Sequence, residues 1–203
     1  RLAREDRHVV AELERLGATA LVAETPASTN LRLTYPTGNL DERTIEIASS
    51  AGPFGAADVG DLRARAIAIG ASVRGEVPPE VVAALAARCQ MLALDVQGFM
   101  RVVVDGRLAF DNWPGKEAIL PLVSVLKTDA VEAERLTGQR DRGEAARRLA
   151  ALGPREVLLT WNGGVLVAHE GQLHQAPFVP DGVRGRSGRG DTCTAAYLSR
   201  RLG

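Results

Sequence analysis

The sequence predicts an α/β fold in three layers, with a largely parallel central sheet between helices. Short apolar runs, which are typical of buried strands, alternate along the 203 residues with segments whose apolar side chains recur at helical spacing. Glycines or a Gly-Pro pair close several of the helical segments. One segment, 30–50, alternates apolar and polar residues instead, so we expect a small hairpin that projects from the sandwich.

The first half of the chain begins with a helix, predicted where Val9, Leu13 and Leu16 recur about one turn apart. The apolar run 18–22 predicts a buried strand. The segment 30–50 predicts two strands that share one apolar face and are joined by turn-forming residues.

The middle of the chain predicts strands over 66–69 and 91–96, with a helix between them that Pro79 opens. The pair Asp105-Gly106 lies between two apolar runs, which is a strong signal for a second hairpin. We expect this hairpin at the edge of the central sheet.

The last third predicts, in chain order, a strand over 123–126, helices over 129–137 and 145–152, and a pair of strands over 157–167. A final helix is expected to begin at Asp191 or Thr192. The order of helices and apolar runs therefore supports the layered α/β fold over its whole length.

Composition excludes several classes of function. Twenty-five basic residues balance twenty-five acidic ones, so no overall field attracts nucleic acid or an anionic membrane. No apolar run approaches the roughly 20 residues that cross a bilayer. Cys89 and Cys193 are far apart and outside metal-ligand spacing, which favours a cytoplasmic protein. The three histidines have no metal-ligand spacing either.

A glycine-rich segment before the last predicted helix carries the clearest chemistry. In Gly188-Arg189-Gly190-Asp191, glycines let backbone amides approach an anion, and the first amides of the following helix lack internal partners. A carboxylate beside such a site can accept the proton of an attacking hydroxyl while the amides stabilise a transferring phosphoryl group. The alternative is a surface turn in which Asp191 is only a helix cap.

This segment resembles the Gly-Ala-Gly-Asp signature of the PfkB carbohydrate kinases. The resemblance implies a ribokinase-like fold, ATP as the phosphoryl donor, Asp191 as the catalytic base and residues 188–190 as the anion hole. Arg189 stands where the family has alanine, and residues 185–187 stand where it has Asp-Thr-Thr. The charge of Arg189 would add to a phosphate site, and the alternative is an exposed arginine.

A second segment, Lys127-Thr128-Asp129 followed by Glu132, is similar to the family's Lys-Pro-Asn-x-x-Glu. The resemblance implies that Lys127 belongs to the donor site and that Asp129 and Glu132 act on Mg²⁺ through water. Asp129 and Glu132 are three residues apart and share a helix face, and Mg²⁺ prefers carboxylates together with substrate phosphates. The alternative is a capped helix with solvated acids.

A third segment, Thr160-Trp161-Asn162-Gly163, resembles the family's Thr-x-Gly-x-x-Gly loop, in a turn that is one residue shorter. The resemblance implies that Thr160 and Gly163 contact the nucleotide, and the alternative is an ordinary hairpin turn. The three segments follow one another in the order of the family, which favours common descent over chance.

The acceptor side is predicted where a buried strand ends in Asp95, Gln97 and Arg101, because open α/β sheets bind ligands beyond the carboxyl ends of their strands. The stretch is similar to the Asp-x-Gln-x-x-x-Arg of inositol-kinase-like and sugar-kinase-like members. Asp95 and Gln97 would bind hydroxyls, and Arg101 would steady a phosphate. The alternative is a loop whose polar side chains satisfy one another.

The resemblance also implies that 30–50 is a β lid that excludes water and can mediate a homodimer; a hairpin packed on its own domain is the alternative. Family members are longer, so the resemblance implies that 1–203 is an incomplete kinase domain. We expect it to lack the N-terminal substrate loop and the C-terminal end, and a fragment with these bounds is expected to show weak activity or none.

The sequence thus predicts an ATP- and Mg²⁺-dependent kinase that phosphorylates a hydroxyl of a sugar or cyclic polyol. Few aromatic side chains are present to stack on a nucleobase, which favours a polyol over a nucleoside acceptor. A nucleoside kinase of the same fold and a catalytically silent ligand-binding module are the alternatives.

Overall fold

The computed structural model describes residues 1–37, 44–179 and 188–203. Residues 38–43, with part of the predicted turn of the first hairpin, and residues 185–187 of the glycine-rich segment lie outside them. The helices are α1 (His8–Arg15), α2 (Ala56–Val59), α3 (Pro79–Ala86), α4 (Gln97–Met100), α5 (Lys116–Ile119), α6 (Ala130–Thr137), α7 (Arg142–Ala150) and α8 (Arg189–Leu202). The strands are β1 (Asn30–Thr34), β2 (Thr44–Ser49), β3 (Ala64–Ile69), β4 (Cys89–Asp95), β5 (Arg101–Val104), β6 (Arg107–Phe110), β7 (Val125–Asp129), β8 (Glu156–Trp161), β9 (Gly164–His169) and β10 (Gln172–Pro177).

The central sheet has the strand order β10-β9-β8-β7-β4-β3 within the described ranges. Neighbours from β3 to β8 run parallel, and β9 and β10 complete the sheet as antiparallel strands. The strands β7 and β8 are buried along almost their whole length, as parallel strands covered on both faces must be. The prediction of an α/β sandwich with a mostly parallel sheet is confirmed.

Two apolar cores lie on opposite faces of the sheet, because side chains alternate between faces along each strand. Leu92 and Leu94 of β4 belong to the core beneath α3, α6 and α7, whereas Ala93 between them belongs to the other core. This second core contains Val125, Leu158 and, from α8, Leu198. Helix α8 is therefore packed against the middle of the sheet.

A second, smaller sheet has the order β1-β2-β6-β5. The hairpin predicted over 30–50 supplies β1 and β2. The hairpin around Asp105-Gly106 also joins this sheet, so its predicted place at the edge of the central sheet is wrong. After β4 the short helix α4 redirects the chain, and β6 pairs with β2 where Glu46 lies opposite Arg107.

Other predictions differ from the structure in detail. The run 18–22 is not a strand: the nearest β-bridge among the described residues joins Leu2 to Glu24, just beyond the run, and Leu21 is largely exposed. The last helix begins at Arg189, before the predicted start. Strand β10 was not predicted because its sequence lacks an apolar run. In the described part of the chain, no helix is both long and apolar enough to cross a bilayer.

Candidate active site

A cavity of about 750 Å³ lies beyond the carboxyl ends of β4, β7 and β8, the usual ligand position in open α/β sheets. Its walls come from the small sheet, the three strand ends, the β8–β9 turn and the start of α8. The lining residues are Leu31, Leu33, Ile45, Asp95, Gln97, Arg101, Lys127, Asp129, Ala130, Val131, Arg142, Thr160, Trp161, Asn162, Phe178, Gly188, Arg189, Gly190 and Asp191. The cavity thus brings together ten of the twelve residues that the sequence singled out, and Gly163 and Glu132 stand outside its lining.

The start of α8 forms one end of the cavity. Gly188 has φ of 81°, a left-handed conformation that favours glycine, and its carbonyl accepts a hydrogen bond from the amide of Thr192. Asp191 lies in the first turn, and its side chain is not the helix cap, so the capping alternative does not describe it. Gly190 and Asp191 both face the cavity.

Lys127 lies beneath this helix start, in the interior of the cavity wall. Its side chain is 6% exposed, and its Nζ lies 3.0 Å from Oδ2 of Asp95. Burial opposes the charged form of this amine, but the carboxylates of Asp95, Glu132 and Asp129 outweigh it and raise the pKa of Lys127. The site therefore holds a buried amine whose charged form is stabilised by neighbouring carboxylates.

Asp129 and Glu132 form a reciprocal cap at the start of α6. The amide of Glu132 donates to Oδ1 of Asp129 at 2.8 Å, and the amide of Asp129 donates to Oε2 of Glu132 at 2.7 Å. Glu132 is buried, and burial and the Asp129 carboxylate raise its pKa to about 7, against the opposing effect of Lys127. The capped-helix alternative describes the geometry, but Glu132 is not solvated as it assumed, and Asp129 is half-buried.

A Mg²⁺ ion fits this pair only in part. Asp129, a carboxylate, lines the cavity, whereas Glu132 is buried outside the lining. Among the described residues, no group of three or more His, Cys, Asp or Glu side chains is arranged to hold a metal. The donor set suits a partly hydrated ion shared with substrate phosphates rather than an all-protein cage.

The β8–β9 turn differs from a nucleotide-binding glycine loop. Thr160 faces the cavity, and its hydroxyl donates to the carbonyl of Thr128 at 3.4 Å. A Cβ atom on Gly163 would lie 2.9 Å from Nε1 of Trp161, and one on Gly164 would lie 3.1 Å from a ring carbon of the same indole. The indole of Trp161 thus lies against both glycines of the turn.

Sequence reasoning missed two arginine–aromatic pairs at this end of the cavity. The guanidinium of Arg142 lies 4.5 Å from the ring centroid of Trp161, and that of Arg189 lies 5.5 Å from the centroid of Phe178. Arg189 also donates to the carbonyl of Asn162 at 3.5 Å. One local signal was available: Arg142 opens α7, although a helix start disfavours positive charge.

The side chains that were predicted to bind the acceptor lie beyond β4. Oδ1 of Asp95 accepts a hydrogen bond from the amide of Gln97 at 3.0 Å, which fixes the Asp95 side chain between the strand end and the start of α4. Arg101 is 6% exposed, with its guanidinium 5.8 Å from the ring centroid of Phe110. Apolar side chains of the small sheet line the same cavity. Charged, polar and apolar groups therefore share one cavity wall.

Comparison with known proteins identifies the class. No family model and no curated protein sequence matches the chain. A pyrophosphate-dependent kinase of the ribokinase family, solved as a sulfate complex, is 32% identical with a TM-score of 0.92, over 99% of this chain and 71% of that one. A second structure shows a pyrophosphate-dependent kinase of the ribokinase family with a pyrophosphate analogue and myo-inositol. It is 32% identical with a TM-score of 0.91, over 99% of this chain and 70% of that one. Ribokinase of Arabidopsis thaliana, solved with ribose and ATP, is 22% identical with a TM-score of 0.59, over 77% of this chain and 51% of that one. This similarity supports the fold.

These similarities make the protein a carbohydrate kinase. More particularly, the chain belongs to the ribokinase, or PfkB, family, as its three motifs predicted. The family supports a sugar or polyol as the acceptor. It does not decide between ATP and pyrophosphate as the donor, because the pyrophosphate-dependent kinases are the structures that match at 32% identity.

Proposed function

We propose that the protein transfers a phosphoryl group from pyrophosphate to a hydroxyl of a cyclic polyol or sugar, with Asp191 as the base. The observation that carries the proposal is the convergence of Asp191, Lys127 and Asp95 in one cavity at the carboxyl ends of the parallel strands. A general base, a buried cation and a hydroxyl-binding carboxylate are the groups that such a transfer requires.

In the proposed step, a carboxylate oxygen of Asp191 takes the proton of the acceptor hydroxyl. The hydroxyl oxygen forms a bond to the near phosphorus atom of pyrophosphate, and the bridging P–O bond breaks, so that orthophosphate leaves with its electron pair. Lys127 and the amides at Gly188–Gly190 stabilise the charge on the transferring group. Arg189 adds positive charge at the same helix start.

Mg²⁺ would be held by Asp129, through water, and by the donor phosphates, with Glu132 supporting Asp129 from behind. When bound, the ion supplies Lewis acidity and neutralises phosphate charge. The residues of the chain itself bind and orient the donor around it.

The donor is proposed from the arginine–aromatic pairs. Pyrophosphate is small and highly charged, and guanidinium groups bind phosphate oxygens in a bidentate manner. Arg142 and Arg189 supply two such groups, and Trp161 covers the glycines of the turn at which the family's motif implies a nucleotide contact. The 32% identity to pyrophosphate-dependent kinases supports the same donor.

ATP is the second candidate donor. Thr160 faces the cavity where the family's motif implies a nucleotide contact, and the ribokinase from Arabidopsis thaliana, which shares the fold, was solved with ATP. Lys127 would serve either donor, because both present a terminal phosphate at the point of transfer.

A polyol is favoured over a nucleoside as acceptor. The aromatic rings in the described lining, Trp161 and Phe178, lie at the donor end and are already stacked with arginines. The acceptor end offers Asp95, Gln97 and Arg101 under aliphatic side chains. These groups suit hydroxyls on a compact ring.

The test is a matrix of donors and acceptors, with the purified protein and Mg²⁺. Pyrophosphate and ATP are each combined with myo-inositol, ribose, fructose and adenosine, and phosphorylated product is measured by ³¹P NMR. Product with pyrophosphate and a polyol or sugar is expected. Faster transfer from ATP would overturn the donor assignment, and no product in any combination would favour a silent ligand-binding module.

A further inference from the structure

The carboxylate of Asp95 has two partners, one on each oxygen. Oδ1 accepts the amide hydrogen of Gln97 at 3.0 Å, and Oδ2 lies 3.0 Å from Nζ of Lys127. The side chains of Asp95 and Lys127 are 12% and 6% exposed, so bulk water screens this pair little. Both residues nonetheless belong to the lining of the cavity.

Lys127 contacts the donor end with the same ammonium. A Cβ atom on Gly190 would lie 2.8 Å from Nζ and 2.9 Å from Cε of Lys127, so the amine lies directly against the backbone of the α8 start. One buried side chain therefore spans from the acceptor-binding carboxylate to the anion hole. No other described ion pair has both of its members in the cavity lining.

We propose that the Asp95–Lys127 ion pair couples acceptor binding to donor binding, an inference that rests on the proposed function. With the acceptor site empty, Asp95 holds the ammonium of Lys127. An acceptor hydroxyl that donates to Oδ2 competes for its lone pairs, weakens the ion pair and leaves the charge of Lys127 to the donor phosphate. The donor then binds tightly only when an acceptor is present.

The coupling would protect the donor from hydrolysis. Without an acceptor, a fully charged anion hole would stabilise the attack of water on the donor. An ammonium that is paired with Asp95 stabilises that attack less. Linkage requires the effect to be reciprocal: the donor must raise acceptor affinity by the same factor that the acceptor raises donor affinity. We expect a factor of about ten, within the range typical of coupled sites.

The variants Asp95→Asn and Lys127→Met each remove one charge, and Asp95→Asn keeps an oxygen for the amide of Gln97. Each single change leaves a buried partner unpaired, which destabilises a protein, whereas the double variant removes both charges together. If a single variant folds poorly, the double variant still allows the coupling to be measured without the ion pair. Asp111→Asn, which breaks the ion pair with Arg74 outside the cavity, is the matched control.

The measurement is calorimetric titration of methylenediphosphonate, a non-hydrolysable pyrophosphate analogue, with and without saturating acceptor. The acceptor is myo-inositol, or the compound phosphorylated fastest in the donor–acceptor matrix. Wild type and Asp111→Asn should bind the analogue about tenfold tighter with the acceptor present. The single and double variants should show a ratio near one.

A ratio near one in the wild type, or a ratio of ten that persists in Asp95→Asn or in the double variant, would overturn the coupling. Either result leaves the proposed function intact if the matrix gives product. A protein that phosphorylates nothing in the matrix removes the proposed function and the coupling with it, so the two failures are distinguishable.

Discussion

The amine of Lys127 occupies the space that a side chain at position 190 would need: a Cβ on Gly190 would come within 2.8 Å of its Nζ. Glycine is therefore required here by the position of a buried cation and not by a left-handed backbone. This relationship brings together two motifs that are separated by about 60 residues, as the proposal of a single site requires.

Gly190→Ala should displace Lys127 without unfolding the protein, because the flexible end of a lysine can move aside. We expect kcat to fall about 100-fold, the cost of losing one preorganised cation at a developing charge. The measurement is steady-state kinetics together with a thermal melt. Gly70→Ala is the control, since a Cβ there meets open space, and equal activity of the two variants would contradict the close contact.

Arg142→Ala should raise KM for the donor about tenfold, the effect of one charge-assisted hydrogen bond, with a smaller change in acceptor KM. Arg147→Ala on the same helix removes a partly exposed pair with Glu144 and should leave both constants unchanged. A donor KM unaffected by the loss of Arg142 would remove this residue from the donor site.

Helix α8 is held at its far end by the buried carboxylate of Glu156. Burial opposes its ionised form, but hydrogen bonds from Arg201 and Tyr197 outweigh it and lower the pKa of Glu156. Tyr197→Phe should therefore reduce the free energy of unfolding by about 1–3 kcal/mol. The exposed Tyr35→Phe should change it by less than about 0.5 kcal/mol.

Glu156 should make the stability of the protein depend on pH. Because its pKa is lower in the folded protein than the unfolded value of 4.5, the ionised carboxylate stabilises the fold above pH 4.5. This stabilisation is lost as the pH falls through the folded pKa. Wild type should lose stability over that acidic window in urea titrations. Glu156→Gln should start less stable at pH 7 and lose less on acidification; parallel curves would contradict the assignment.

Glu132 should make the protein less stable as the pH rises. Because its pKa is raised from 4.5 to about 7 in the folded protein, the stabilisation that its protonated form gives below pH 4.5 is lost as the pH rises toward 7. Glu132→Gln keeps an oxygen for the amide of Asp129 and should remove this loss. The check is unfolding at pH 5 and pH 8 without added Mg²⁺, and Glu134→Gln on the same helix should behave like wild type.

The parts of the fold that depend on local pattern could be predicted. The apolar runs of β7 and β8 define strands buried on both faces, and Gly138 ends α6 in the left-handed conformation expected of a helix stop. The second hairpin was also recognised, from Asp105-Gly106. The sheet that this hairpin joins was not predicted. Its strand partner depends on the direction that the chain takes after α4, and no local sequence pattern indicates that direction.

The same division applies to the site. Motifs identified Asp191, Lys127 and Asp95 because each lies beside a strand end or helix start with its own signature. Arg142 and Trp161 are 19 positions apart and meet only after α7 packs beside β8. Their pairing, which bears most on the donor, is a tertiary fact that no spacing in the sequence reveals.

The role of Asp191 as the base is tested by the variant Asp191→Asn with pyrophosphate and the best acceptor. Loss of the general base should lower kcat by about 10³-fold, while the affinity for methylenediphosphonate changes little, because asparagine keeps the size of the side chain. Turnover within about tenfold of wild type, well short of the effect of a general base, would contradict Asp191 as the base.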